Sequence, residues 1–102
     1  VTRIQKHKYN AVAVEFDGIR FDSKKEDRYY QELKLRVASG EVVFFLRQTP
    51  FHIGGGTYRV DFQEFHADGT IHFVDVKGMQ TAAFKKSKKQ VEQMYPVEIE
   101  II

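Results

Sequence analysis

The chain contains no cysteine and only two prolines among its 102 residues. Without cysteine it can form neither a disulfide nor a thiolate metal site. No apolar run approaches the roughly 18 residues that a membrane span needs, and no signal peptide is visible. A cytoplasmic chain without a membrane partner is therefore expected. The charge excess is also small, a formal +2, which by itself does not announce nucleic acid. Gly54-Gly55-Gly56 reads as a flexible loop and not as a phosphate cradle, because no Gly-Lys-Ser/Thr follows it. The four histidines, His7, His52, His66 and His72, show no zinc-ligand spacing and read as surface or partly buried side chains. There is no internal repeat, linker or low-complexity segment.

What is present is a core. Hydrophobic residues make up 42% of the chain, with nine Phe and five Tyr, enough for one small domain. Residues 1–10 are polar and basic without a period and read as a flexible arm; residues 11–102 read as the domain. Ala11 to Phe21 alternates around Asp17-Gly18, a short hairpin. Ser23 opens a helix over about 23–39, with Glu26 placed for a capping box and Gly40 as its stop. Glu26, Tyr30, Leu33 and Val37 fall on one helical face. Glu41 to Arg47 is a strand whose continuous apolar run suggests burial on both faces. Strands over about 57–66 and 71–77 flank Ala67-Asp68-Gly69-Thr70, a strong hairpin signal. A helix over about 81–95 follows, with Phe84, Ser87, Val91, Met94 and Tyr95 inward and Pro96 as its stop. Val97, Ile99 and Ile101 alternate with Glu98 and Glu100 in a last strand. The fold class is thus α/β, a mixed sheet of four to five strands flanked by two helices, with an N-terminal hairpin.

The second hairpin carries the chemistry. Asp61 shares a strand face with Arg59 and Gln63, while Tyr58, Val60 and Phe62 take the other. Asp75 and Lys77 point the same way, and Val74 and Val76 around Asp75 suggest a buried strand. If the polar faces coincide, two carboxylates and an ammonium converge at one hairpin end. An ordinary Asp-x-Lys is a solvated ion pair. Two acids in one volume repel, however, and are tolerated mainly where a cation sits between them. Gln48, at a strand end, can contact this site or DNA, or be a plain polar terminus. Glu26 can cap its helix or point over the sheet. Basic residues cluster at Arg3, Lys6 and Lys8 and again at Lys85, Lys86, Lys88 and Lys89. Such clusters bind phosphate or simply solvate a surface.

An acid on one strand, a hairpin and then Asp-x-Lys resembles the PD-(D/E)xK nuclease superfamily. His7-Lys8-Tyr9-Asn10-Ala11, Phe21-Asp22-Ser23-Lys24-Lys25-Glu26, Asp61-Phe62, Asp75-Val76-Lys77-Gly78 and a Lys-rich helix ending Tyr95-Pro96 resemble small phage endonuclease-like proteins grouped near the Holliday-junction resolvases. The resemblance spans nearly the whole chain. It implies a restriction-endonuclease-like core and a phage protein acting in the host cell. The implied activity is a metal-dependent endodeoxyribonuclease that hydrolyses phosphodiester bonds, with branched or junction DNA as the candidate substrate, and works as a homodimer. Asp61, Asp75 and Glu26, with the Val76 carbonyl, would hold Mg²⁺ or Mn²⁺, since hard cations take oxygen ligands. Lys77 would be the catalytic amine, and Lys6, Lys8, Gln48, Lys85, Lys88 and Lys89 would touch DNA. The alternative is a non-catalytic DNA-binding module, or a packaging or replication accessory, that keeps the fold.

Overall fold

The computed structural model describes the backbone of residues 3–6 and 12–102 and the side chains from Val14 onward. The chain falls into two compact units, Val1–Arg36 and Val37–Ile102.

In the first unit β1 (Arg3–Lys6), β2 (Val12–Phe16) and β3 (Ile19–Phe21) form an antiparallel sheet in that order. Asp17 and Gly18 join β2 to β3 with φ of 54° and 73°. Two successive left-handed residues are what a tight two-residue hairpin turn demands, and Asp-Gly supplies them at low cost. The strand β1 pairs along β2 from Arg3–Glu15 to Lys6–Val12, so Arg3–Lys6 are strand where the sequence suggested an arm. The rest of that arm lies outside the described residues.

Helix α1 (Lys24–Ala38) begins where Ser23 Oγ accepts the Glu26 amide at 3.1 Å, half of the expected capping box. It ends at Gly40, whose φ of 87° suits a C-terminal cap and whose amide reaches the Val37 carbonyl. Its apolar stripe is as spaced: Tyr30 and Leu33 are buried, with Glu26 in line at 5% exposure. Tyr30 packs on Phe16 and Phe21, and its hydroxyl and Lys34 both bond the Asp17 carboxylate.

The second unit is a four-stranded mixed sheet in the order β4-β5-β6-β7, with one helix. The strands are β4 (Val42–Ile53), β5 (Gly56–His66), β6 (Ile71–Asp75) and β7 (Ile99–Ile101). The first three are antiparallel, and β7 lies parallel to β6. A parallel neighbour needs a crossover, and α2 (Ala82–Met94) provides it. Thr81 caps α2 by accepting the Phe84 amide at 3.1 Å.

Three expectations change here. The strand β4 runs on to Ile53, past Pro50, which the sheet tolerates because β4 is an edge strand. Edge position also explains why its apolar run is not buried on both faces: Val43, Phe44 and Leu46 are 48–60% exposed. On α2, Met94 is exposed, whereas Val91 is fully buried. Val91 joins Tyr58, Val60 and Ile99 in a core against which Phe51, Phe73, Phe84 and Tyr95 pack. The Ala67–Thr70 turn is as the sequence suggests: Gly69 has φ of 90°, and the Asp68 carboxylate accepts the Thr70 amide at 2.9 Å.

Candidate active site

Asp61 and Asp75 face each other across β5 and β6. The last regular pair of that ladder is Phe62–Val74. Beyond it β6 stops following β5, and side chains replace ladder bonds. The Asp61 amide donates to Asp75 Oδ1 at 2.8 Å, and the Val76 amide donates to Asp61 Oδ2 at 2.9 Å. Each carboxylate thus holds the other strand's backbone. The remaining oxygens are also engaged: Gln48 Nε2 donates to Asp61 Oδ1 at 3.2 Å, and the Tyr58 hydroxyl donates to Asp75 Oδ2. From the other side, β7 pins the backbone. Ile102 donates to the Asp75 carbonyl, and Lys77 donates to the Ile102 carbonyl.

Burial dominates the electrostatics. Asp75 is 1% and Asp61 9% exposed. Loss of hydration pushes both carboxyls above their ordinary value of 3.8. Hydrogen bonds and distant positive charge only soften the rise: the Val76 amide, the Lys77 charge, Gln48 and the Arg47 charge for Asp61, and the Asp61 amide and the Lys77 charge for Asp75. No salt bridge to either carboxylate forms among the described residues. The Lys77 ammonium lies over the Phe84 ring, 4.9 Å from its centroid, and acts on both acids at longer range.

Four of the expected residues, Asp61, Asp75, Val76 and Lys77, therefore stand together, with Gln48 beside them. Gln48 directly opposes Asp61 on β4 and has φ of 55°. That is an uncommon conformation for a non-glycine residue and a pointer to a site. Tyr58 is the residue that sequence reasoning missed. Alternation placed it on the opposite face from Asp61, but alternation fixes only where Cβ points. Its long side chain reaches Asp75 where the ladder has opened.

Glu26 lies in the first unit, buried in the first turn of α1. Among the described residues no group of three or more His, Asp or Glu is gathered as a metal cluster. Of the lysines, Lys85 and Lys89 are exposed on α2, whereas Lys88 donates to both oxygens of Glu92 at 3.0 and 3.1 Å. Lys6 belongs to β1; its side chain, and Lys8 altogether, lie outside the described residues. Among the described residues no helix is long and apolar enough to cross a membrane.

This is an α/β chain with an opposed pair of buried aspartates at the open end of a hairpin. The family described as "Protein of unknown function (DUF1064)" matches residues 6–101, and the chain belongs to it. No curated protein matches the sequence.

Proposed function

We propose that the chain is a divalent-metal-dependent DNA endonuclease with a restriction-endonuclease-like core. The observation that carries this reading is the buried Asp61–Asp75 pair, held face to face with no salt bridge to either among the described residues and with Lys77 beside it. The donor set fits Mg²⁺ or Mn²⁺: two carboxylates and, after them, the Val76 carbonyl, all hard oxygens. Each carboxylate oxygen accepts one protein donor and has a second lone pair left for a cation. Burial holds both carboxyls above their ordinary value, and Lys77, acting at longer range, only softens that rise. The reading needs only Asp61, Asp75, Val76 and Lys77, all of one unit.

Bound there, a divalent ion would supply an activated water and polarise a phosphoryl oxygen. The chain's own groups do the remainder. Asp61 and Asp75 would hold that ion and so decide where a phosphate can approach it. The Lys77 ammonium, steadied on Phe84, stabilises charge that develops on phosphate oxygens. The exposed Lys85 and Lys89 on α2 offer contacts to the phosphodiester backbone. Branched DNA as the substrate, a homodimer that cuts two strands and a phage protein at work in the host cell all follow from the resemblance in sequence.

A second reading is a DNA-binding or packaging or replication accessory module that does not cut. It is favoured by the lack of a third acid or histidine gathered with the pair among the described residues. Incubation of the protein with a plasmid and with a four-way junction, in Mg²⁺ or Mn²⁺, separates the two. The nuclease cuts at least one of them, and Asp75→Asn does not. Binding without cutting, unchanged in Asp75→Asn, supports the accessory module.

A further inference from the structure

Asp75 is 1% exposed, so both its oxygens must find donors inside the protein. One takes the backbone amide of Asp61. The other takes the hydroxyl of Tyr58, the one side-chain donor to this carboxylate among the described residues. Tyr58 is itself 8% exposed and belongs to the core with Val60, Val91 and Ile99. Its ring lies 6.1 Å from that of Phe84, on which the Lys77 ammonium also rests. A ring so enclosed cannot swing, and its hydroxyl has a fixed place. The amide fixes one end of the Asp75 carboxylate and the hydroxyl the other, which sets the plane in which the remaining lone pairs lie.

We propose that Tyr58 is a positioning residue of the site. Its hydroxyl holds Asp75 Oδ2 so that the carboxylate presents its open lone pairs towards a divalent cation shared with Asp61. This rests on the metal-site reading given above. Hydrogen bonds to a ligating carboxylate orient it and tune its affinity, and their loss costs about 10–100-fold in metal binding. A tyrosine that merely satisfied a buried acid would behave differently. Its removal would lower the melting temperature and leave the metal affinity where it was.

The test is a Mn²⁺ titration, by calorimetry or electron paramagnetic resonance, of the full chain and its Tyr58→Phe, Phe84→Leu and Asp75→Asn variants. Melting curves establish that each is folded. Tyr58→Phe removes one oxygen and keeps the ring, and it should weaken Mn²⁺ binding about 10–100-fold. Cleavage by this variant should recover in part at saturating Mn²⁺. Phe84→Leu loosens the ring's seat but leaves the hydroxyl, and should weaken binding in the same direction by less. Mn²⁺ affinities equal to wild type in both variants would overturn the role of Tyr58 while leaving the metal site standing, provided Asp75→Asn has lost it. A wild-type chain that binds no Mn²⁺ would remove the metal reading itself, and this inference with it.

Discussion

Two carboxylate clusters in the second unit are built from similar parts and behave oppositely. At the junction of α2 and β7, Glu92 accepts the Ile99 amide at 2.8 Å and the Lys88 ammonium on both oxygens. Burial pushes Glu92 up, but the amide and the ammonium outweigh it, and its carboxyl is held below the ordinary 4.5. At the open end of β5 and β6, Asp61 and Asp75 also accept backbone amides, yet among the described residues no ammonium forms a salt bridge with them, and both are held above 3.8. Backbone donors are therefore common to both clusters and do not distinguish them. What differs is whether the nearest positive charge is in contact, as Lys88 is with Glu92, or acts at longer range, as Lys77 does on the aspartates. Glu92 is a structural ion pair, whereas burial dominates the electrostatics of the two aspartates.

The sharpest way to break this contrast is to test for catalysis. Asp61→Ala, Asp75→Ala and Lys77→Ala should each lower cleavage of plasmid or junction DNA by at least about 10²-fold, the scale of one lost transition-state contact. Glu92→Ala should leave cleavage largely intact. Circular dichroism checks that all four are folded. Full activity in Asp75→Ala would place the chemistry elsewhere.

Metal-linked stability comes next in size. A cation that binds only the folded site stabilises by RT ln(1 + [L]/Kd), about 1.4 kcal/mol at ten times Kd. For a domain of this size that is a rise in melting temperature of roughly 6–11 °C. Glu92→Gln should keep the rise, and Asp75→Asn should lose most of it. Equal shifts in wild type and Asp75→Asn would mean that Asp75 is no ligand.

Without metal the two clusters should titrate with opposite sign. Raised carboxyl values mean that the folded chain holds protons more tightly than the unfolded one. The stability due to Asp61 and Asp75 is then complete below 3.8 and is lost as pH rises through their folded values. Asp75→Asn should flatten that fall and leave the apo protein at least as stable as wild type at pH 7. Glu92 contributes stability above 4.5 that disappears as pH falls through its lowered value. Glu92→Gln should therefore cost about 1 kcal/mol at pH 7 and nothing in acid. Denaturant melts across pH 3–8 read both slopes. A metal-free Asp75→Asn less stable than wild type at pH 7 would contradict a burial cost on the Asp75 charge.

The smallest effect concerns DNA affinity. Lys85→Ala and Lys89→Ala should each reduce the log–log salt slope of binding by about 0.9, if each contacts one phosphate of a duplex. Lys88→Ala should change it less, because the Lys88 ammonium is already held by Glu92. Fluorescence anisotropy at several salt concentrations gives the slopes.

How much of this could be read in the sequence depended on the range of each interaction. Local chemistry was legible. Asp17-Gly18 and Asp68-Gly69 gave their turns, Ser23 its cap, and Glu26, Tyr30 and Leu33 their common stripe. The facing of Asp61 and Asp75 followed from one hairpin register. Longer-range facts were hidden. Nothing in Val42–Leu46 says that β4 is an edge, because a fully apolar run reads alike at the edge and the centre of a sheet. Pro50 and the glycine triplet masked the second half of that strand. Tyr58 was placed away from the site by alternation, which holds only while neighbouring strands stay paired. Where the β5–β6 ladder ends, at Phe62–Val74, β6 still pairs with β7 through Asp75–Ile101. β7 lies some twenty-five residues further along the chain than β6, a pairing that no local window contains.

Pro50 has one further effect. An edge strand as long as β4, with Val43, Phe44 and Leu46 exposed, is a template on which another polypeptide can lay itself and extend the sheet. Pro50 removes one amide donor from that free edge, and Gln48 turns the backbone out of extended geometry two residues earlier. A strand arriving from another molecule can match the ladder only as far as these two positions, where its hydrogen bonds run out. The edge is guarded against zipper-like growth by its backbone alone. Two copies of the chain that meet along β4 cannot then continue one sheet across its whole length.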